Sequence, residues 1–361
     1  MHPFSCGHCG TTVFFENIRC DTCGATLGFV PDEGRMAAFP PDAPGRIDGP
    51  DIRTDDGGRP LRACLNRSLH EACNWMVAAD DPQPRCRSCR LTEMIPDLSL
   101  HLNAWRAFEQ AKRRLVFTLI GIGLAPEPKA GPDDPRGLSF RLLASLPGEP
   151  PVLTGHDNGV ITLNLAETDD VLRETARVSM HESVRTVLGH LRHEVSHYLQ
   201  QRHIDGTPAI DDCRAVFGDE RADYAAALAT HYARGPADDW PQHFVSAYAG
   251  AHPWEDWAET CAHYLLMLDA VQTASAWGLS LDGPADAQPG GDRTDTTTPA
   301  RHLALNQWLP IAQFLNAMNR SLGERDSYPF LMPDAVLAKL DCVQQLLARA
   351  AATLKAPAAT A

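Results

Sequence analysis

The sequence predicts an α+β protein in which a cysteine-rich N-terminal region precedes a mainly helical domain with a small β-sheet. Eight of the eleven cysteines lie before residue 90. From about Ser99 onward, hydrophobic residues recur at spacings of three and four, which is typical of helices. Two segments of alternating polarity, "LSFRLLA" and "VITLNL", predict the strands.

Length and charge limit the classes of function. A chain of 361 residues has room for two or three compact units. The net charge of −14 argues against nonspecific binding to nucleic acid or anionic membranes. The N-terminus has no signal-peptide pattern, and no segment approaches the roughly 18 apolar residues of a membrane span. We therefore expect a cytoplasmic protein with neither a nucleic-acid nor a membrane partner.

The first cysteine set has the spacing of a metal site. Cys6 and Cys9 form one CxxC pair, Cys20 and Cys23 form a second, and ten residues separate the two pairs. Gly10 and Gly24 follow the two pairs, where glycine lets backbone amides turn toward the sulfurs. Four thiolates hold a structural zinc ion. The pattern predicts a zinc ribbon over residues 1–32.

A second, less regular set lies within residues 33–97, after an irregular connection that is rich in proline, glycine and aspartate. Its members are Cys64, Cys73, Cys86 and Cys89. We predict a second structural zinc here, with His70 as a substitute ligand. Alternatively, Cys64 and Cys73 are ordinary buried cysteines. Three isolated cysteines are expected in the core, namely Cys213, Cys261 and Cys342.

Residues 98–361 are predicted to form the helical domain. The strands fall near its start, with a hairpin turn at Asn158 and Gly159. A flexible loop is expected at about 283–300 and a frayed tail at about 352–361. A helix from near Ser183 should place Val184, Leu188, Leu191, Val195 and Tyr198 on one core-facing stripe.

That helix contains His193-Glu194-x-x-His197, the HExxH pattern of zinc hydrolases. Residues four apart lie one turn above each other, so the two imidazoles can reach one ion. Glu194 lies beside this face and can take a proton from zinc-bound water. His190 shares the metal face and is expected to be structural or to line the cleft.

The third ligand has two candidates. His203 has the position of the last histidine in HExxHxxGxxH, but Gln200 replaces the glycine that turns the chain back to the metal. Glu255 and Glu259 are four apart on a later helix, so that one can ligate zinc while the other orients a ligating histidine. We favour Glu255 as the ligand and Glu259 as its support. A competing acidic cluster, expected to be supportive, contains Asp219, Glu220 and Asp223.

Here the residues resemble a known group. Tyr248 and "EDWAE" are similar to the tyrosine and the ExFAE-like segment of lethal-factor-type glutamate zincins. The resemblance implies that Glu255 ligates zinc, that Glu259 lies behind the ligands, and that Tyr248 stabilises the oxyanion. It also implies a zincin-like fold for residues 98–361.

More broadly, the chain resembles a bacterial family of zinc-binding metallopeptidases with an N-terminal zinc-ribbon region. The resemblance covers most of residues 1–280. It is carried by "CNWMV", "CRSCRLTEMIPDLS", "AKRRLVFTL", "VLTGHDNGVITLNLAE", "LRHEVSHY", "FGDERADY" and "FVSAYAGAHPWEDWAETCAHYL".

The sequence therefore predicts a metallopeptidase with one catalytic and two structural zinc ions, acting on a peptide or protein substrate. Two alternatives stay open. One is an inactive zincin scaffold whose ribbon region binds a protein partner. The other is a hydrolase of non-peptide amides that uses the same residues.

Overall fold

The computed structural model describes residues 3–40, 52–145, 148, 150–179, 184–279, 281 and 299–355. These residues form two compact units. The described residues of the first unit fall within Met1–Phe117, Glu127–Thr154 and Val160–Leu172, and those of the second fall within Thr118–Pro126, Gly155–Gly159 and Arg173–Ala361. Residues 283–298 of the predicted loop and 356–361 of the predicted tail lie outside the described residues. The predicted boundaries at residues 32 and 97 stay a prediction.

The first unit consists of short strands and few helices. In chain order these are β1 (Phe4–Ser5), β2 (Thr12–Val13), β3 (Thr26–Val30), β4 (Arg35–Phe39), β5 (Arg53–Thr54), β6 (Pro60–Ala63), α1 (Leu65–His70), β7 (Met76–Ala78), β8 (Thr92–Met94), α2 (Leu98–Gly121, to Phe117 in this unit) and β9 (Ser139–Leu143). After β10 (Gly155–Asp157), whose residues belong to the second unit, β11 (Val160–Asn164) completes it.

Four small sheets contain the strands described for the first unit. β1 pairs with β2 and β3 with β4, and β6 lies between β5 and β7, all antiparallel. β9 lies between β8 and β11 and is parallel to both. In β11 Ile161 and Leu163 are buried and alternate with less buried residues, as a half-buried strand should.

Aromatic rings fill the centre of the first unit. The Phe15 ring lies 5.0 Å from that of Phe29 and 5.1 Å from that of Phe117, and Phe29 lies 5.1 Å from Trp75. Such ring pairs add to the burial of apolar surface. This core contains side chains from the ribbon, from the second cysteine region and from α2.

The second unit is helical. Its helices are α3 (Asp170–Ser179, from Arg173 in this unit), α4 (Val187–His203), α5 (Ala209–Phe217), α6 (Tyr224–Arg234), α7 (Trp240–His243), α8 (Pro253–Ala276), α9 (Ala300–His302), α10 (Leu309–Leu322) and α11 (Asp334–Lys355). A 3₁₀ turn at Tyr248–Ala251 precedes α8, and a π-helical segment at Leu303–Trp308 precedes α10. The α+β prediction, with a cysteine-rich region before a mainly helical domain, is confirmed.

The helix with the HExxH pattern, α4, packs along α8. Leu191, Val195 and Leu199 are fully buried on α4. The indole of Trp257 on α8 donates a hydrogen bond of 2.8 Å to the carbonyl oxygen of Ser196. α4 is capped by Thr186, whose hydroxyl accepts from the Gly189 amide. This packing brings the two motif-bearing helices side by side.

Two local expectations have different outcomes. Val184 was expected on the buried stripe but is 37% exposed, because α4 begins only at Val187. Asn158 and Gly159 have φ values of 43° and 75°, as a two-residue type I′ turn requires.

Two of the isolated cysteines, Cys213 and Cys261, are buried, and Cys342 is half-buried. None of the helices formed by the described residues has both the length and the apolar character needed to cross a membrane.

Candidate metal centre

The first cysteine set has the geometry of a metal site. Cys6 Sγ lies 3.8 Å from Cys23 Sγ, and Cys9 Sγ lies 3.6 Å from Cys20 Sγ. Four sulfurs at about 2.3 Å from a tetrahedral zinc would be about 3.8 Å apart, whereas a disulfide would bring two of them to about 2.05 Å. The spacing fits a zinc ion and excludes disulfides.

Two tight turns present these thiolates. The amides of Gly10 and Gly24 donate to the carbonyl oxygens of Cys6 and Cys20, at 2.8 and 2.9 Å. Both glycines have φ of +75°, a conformation that side chains disfavour. The two glycines therefore close the turns by bonds to carbonyl oxygens, and the predicted approach of backbone amides to the sulfurs stays a prediction.

The second cysteine set also converges. The sulfurs of Cys64, Cys73, Cys86 and Cys89 lie within 4.8 Å of one another, and all four residues are buried. Cys64 and Cys73 are thus members of the cluster and not isolated core cysteines. His70 is not part of it, and its ring lies 5.3 Å from that of Trp105. Burial lowers the pKa of Arg113, but the nearby charges of Cys73 and Cys89 outweigh this effect and raise it.

A third group combines α4 and α8. His193 Nε2 lies 3.2 Å from His197 Nε2 and 3.0 Å from Glu255 Oε2, and His197 Nε2 lies 3.6 Å from the same oxygen. Tetrahedral zinc with ligands at about 2.0–2.1 Å would separate them by about 3.3 Å. Two imidazole nitrogens and a carboxylate oxygen therefore face one point with the spacing of metal ligands.

The carboxylate of Glu255 supports this interpretation. Glu255 is 2% exposed, and its Oε2 is buried and accepts no hydrogen bond from any described residue. Oε1 instead accepts a hydrogen bond of 2.6 Å from the Tyr224 hydroxyl. Burial opposes the charge on Glu255, but the two imidazoles hold its pKa below the ordinary value. A buried anionic oxygen that faces two imidazole nitrogens fits a bound cation.

His193 is oriented from behind. Its Nδ1 lies 2.7 Å from Glu259 Oε1, and the other Glu259 oxygen accepts from the Ser246 hydroxyl at 2.6 Å. Burial raises the pKa of Glu259, but the hydrogen bond from His193 outweighs this and lowers it to about 2. An ionised carboxylate at Nδ1 keeps the proton there and leaves Nε2 free to bind a metal.

His197 is fixed by ring stacking. Its ring is nearly parallel to that of Trp254, with centroids 4.7 Å apart, and to that of His156 at 6.2 Å. Its Nδ1 is buried and makes no hydrogen bond with the described residues. Packing, and not a carboxylate, therefore sets the orientation of the second imidazole.

The two residues with predicted chemical roles lie beside the group. Glu194 is 8% exposed. Burial lowers the pKa of His193, but the contacts with Glu255 and Glu259 raise it well above the ordinary value, and the charge of Glu194 adds to the rise. The Tyr248 ring lies 6.1 Å from the His193 ring. Burial, followed by the charge of Glu255, raises the pKa of Tyr248, so its hydroxyl keeps its proton.

His203 and His190 are not among the converging ligand residues. α4 remains helical through Gln200 to His203, so the chain does not bend back toward the ligand residues. His203 is half-buried, and burial lowers its pKa to about 4. Among the described residues, neither His203 nor His190 belongs to a group that could hold a metal ion.

The acidic cluster after α5 has structural contacts instead. Asp219 pairs with Arg221 at 2.7 Å and Glu220 with Arg214 at 2.5 Å. Asp223 caps α6, because its carboxylate accepts from the Ala226 amide at 3.0 Å. All three carboxylates are satisfied without a metal.

Sequence reasoning missed four residues at this site, namely His156, Tyr224, Ser246 and Trp254. Tyr224 ends the acidic segment "FGDERADY", and Trp254 directly precedes Glu255. All four lie within segments that carry the family resemblance, and this was the available signal. Their contacts depend on the packing of distant segments.

The chain is similar to known proteins along nearly its whole length. Uncharacterised proteins from Mycobacterium bovis and from two strains of Mycobacterium tuberculosis are each 43% identical to this chain over 345 residues, covering 94% of it and 93% of the relative. No solved structure matches the chain. A zinc-ribbon domain model matches residues 3–100, which contain both cysteine sets.

A second family model matches residues 101–346, which is more than half of the chain and includes α4 and α8. The region that it matches contains the two histidines and the glutamate whose ligand atoms converge. The chain belongs to the family described as "Putative zinc-binding metallo-peptidase".

Proposed function

We propose that the protein is a zinc metallopeptidase that hydrolyses peptide bonds at the group formed by His193, His197 and Glu255. The observation that carries the proposal is the convergence of two Nε2 atoms and the buried Oε2 of Glu255 within 3.0–3.6 Å of one another. Two histidines and one glutamate leave a fourth position open, as catalytic zinc sites do.

These three residues would hold the zinc ion. When bound, zinc supplies Lewis-acid chemistry, because it polarises a carbonyl oxygen and lowers the pKa of a water molecule to about 7. Glu255 would bring one negative charge to the ion, and Glu259, whose Oε1 lies 2.7 Å from His193 Nδ1, would orient that imidazole.

Glu194 would transfer the proton. Its carboxylate receives a proton from the attacking water while the water oxygen bonds to the carbonyl carbon of the substrate. When the carbon–nitrogen bond breaks, Glu194 returns that proton to the leaving amine and is ionised again. Such general acid–base catalysis contributes about 10²–10⁴ in rate.

Tyr248 would donate a hydrogen bond to the oxygen that becomes negative during the attack. Its raised pKa keeps the hydroxyl protonated, and its ring lies against His193. Removing a donor of this kind costs roughly 10²–10³ in kcat. Tyr248→Phe should therefore lower kcat and leave zinc binding unchanged.

The test is a cleavage assay on a mixed peptide library, in which new N-termini are identified by mass spectrometry. The full chain is compared with Glu194→Gln, and with chain treated with dipicolinate before and after zinc is restored. We expect cleavage by the zinc-loaded wild type alone.

Cleavage in Glu194→Gln equal to that of the wild type would contradict the proposed role of Glu194, whereas cleavage that persists in dipicolinate would come from a contaminating protease. Parallel assays with acyl amides that contain no peptide bond separate the two kinds of hydrolase. Turnover of those amides without any peptide cleavage would overturn the peptidase assignment.

A further inference from the structure

Tyr224, at the start of α6, contacts the carboxylate of Glu255 on α8 and is not itself one of the converging ligands. Tyr224 Oη donates to Oε1 of Glu255 at 2.6 Å, while Oε2 lies 3.0 and 3.6 Å from the two imidazole nitrogens. One carboxylate oxygen is therefore engaged by a phenol, and the other alone faces the histidines. We propose that Tyr224 is a positioning residue that presents Oε2 of Glu255 as the single ligand oxygen.

Tyr224 is itself held in place. It is the first residue of α6, directly after the capping Asp223. The carbonyl oxygen of Ala222 lies 3.1 Å from His252 Nε2, and His252 Nδ1 accepts from the Trp254 amide at 3.1 Å. Because Nδ1 accepts a hydrogen bond, Nε2 has the proton and donates it to Ala222. His252 thus ties the start of α6 to the first turn of α8.

The same histidine contacts the tyrosine ring. The rings of Tyr224 and His252 are nearly perpendicular, with centroids 5.2 Å apart. His252 is 4% exposed and caps α8 three residues before Glu255. His252 therefore contacts both the start of α6, which contains Tyr224, and the first turn of α8, which contains Glu255. These contacts fix the donor and the acceptor of the hydrogen bond.

Loss of the hydroxyl would leave Oε1 without its hydrogen bond. Glu255 is 2% exposed, so its carboxylate depends mainly on protein groups for hydrogen bonds. The carboxylate would then be free to rotate about its last bond, and its ligand oxygen would no longer be fixed. Partners behind a metal ligand typically contribute 10–100-fold to metal affinity. Tyr224 is distinct from Tyr248, which lies against the His193 ring.

The test is zinc affinity of the full chain with Tyr224→Phe. The weakest zinc site is emptied with dipicolinate, the two cysteine sites are checked by counting the remaining zinc, and the emptied site is titrated with zinc against a chromophoric chelator. We expect Tyr224→Phe to bind this zinc about 10–100-fold more weakly. With cobalt in the same site, the visible absorption bands should change, because they report the ligand geometry.

Tyr232→Phe is the matched control, since Tyr232 is on the same helix and 64% exposed. It should bind zinc and cobalt as the wild type does. Zinc affinity of Tyr224→Phe within twofold of the wild type, with an unchanged cobalt spectrum, would overturn the proposal even if kcat fell. A thermal unfolding curve equal to that of the wild type shows that the variant folds.

This inference rests on the proposed function in one respect, that zinc is the bound ion. It does not depend on peptide cleavage. If the wild type binds zinc at this site but cleaves no peptide, the function fails, and weaker binding in Tyr224→Phe still supports the positioning role. If the wild type cleaves peptides and Tyr224→Phe binds zinc normally, the positioning role alone fails.

Discussion

His193 Nδ1 lies 2.7 Å from Oε1 of Glu259, on the side of the imidazole opposite the Nε2 atom that faces Glu255. The two nitrogens of one ring are thus divided between an orienting carboxylate and the candidate metal position. Glu259 is fixed in turn by the Ser246 hydroxyl. A chain of contacts from the 3₁₀ turn region to α4 therefore determines how His193 is presented.

The first prediction concerns this support. Glu259→Ala should weaken zinc binding at the α4–α8 site about 10–100-fold, because the ring of His193 loses its orienting partner. Glu259→Gln should recover part of the affinity, since its amide oxygen can still accept from Nδ1. Zinc titration after dipicolinate treatment measures both. Wild-type affinity in Glu259→Ala would show that Glu259 does not orient the ligand.

The second prediction concerns the third ligand. Glu255→Ala should lose the zinc equivalent bound between α4 and α8, because removal leaves two imidazoles and no anionic ligand. His203→Ala should keep it, since His203 ends α4 outside the ligand group. Zinc per chain, measured by mass spectrometry of the metal, decides between them. Loss of zinc in His203→Ala with retention in Glu255→Ala would reverse the ligand assignment.

The third prediction concerns the second cysteine set. Cys73→Ala should lose one zinc equivalent and unfold the region around residues 52–97, because structural zinc typically contributes about 10–16 kcal/mol to such small units. Hydrogen exchange of the β5–β7 sheet reports this unfolding. Cys342→Ala is the control, because its half-buried thiol lies outside both clusters. Unchanged zinc content in Cys73→Ala would contradict a four-cysteine site.

The fourth prediction concerns the packing of α4 on α8. Arg192 and Asp269 form a nearly buried ion pair at 2.5 Å, and Asp269 also accepts from Thr118 at 2.7 Å. Arg192→Ala leaves that carboxylate without its cation, so we expect the free energy of unfolding to fall by about 3–5 kcal/mol in urea titration.

Arg349→Ala provides the comparison for that pair. Its ion pair with Asp212 is 57% exposed on both sides. Exposed pairs contribute roughly 0–1 kcal/mol. Similar losses of stability in the two variants would contradict the structural importance of the buried pair.

The sequence could predict those features that depend on local spacing. His193 and His197 share a face because they are four residues apart in a helix, and the CxxC turns place two sulfurs together wherever the rest of the chain lies. The four-residue interval between Glu255 and Glu259 has the same property. The helical domain was predictable from hydrophobic spacing for the same reason.

Features that depend on contacts between distant segments could not be predicted in this way. The hydroxyl of Tyr224 meets Glu255 because His252 ties the start of α6 to α8. Trp254 stacks on His197 because α4 and α8 lie side by side. Val184 shows the converse error, since its helical spacing predicted burial while α4 begins three residues later. Helix ends depend on capping by Thr186, which periodicity does not reveal.

The most direct test of the proposed mechanism compares zinc content and peptide turnover in wild type and in Glu194→Gln. The variant should keep all its zinc, because Glu194 is not one of the converging ligands. Its kcat should fall by about 10²–10⁴, the usual contribution of a general base. Full zinc content with unchanged turnover in Glu194→Gln would contradict the proposed role of Glu194 and with it the proposed mechanism.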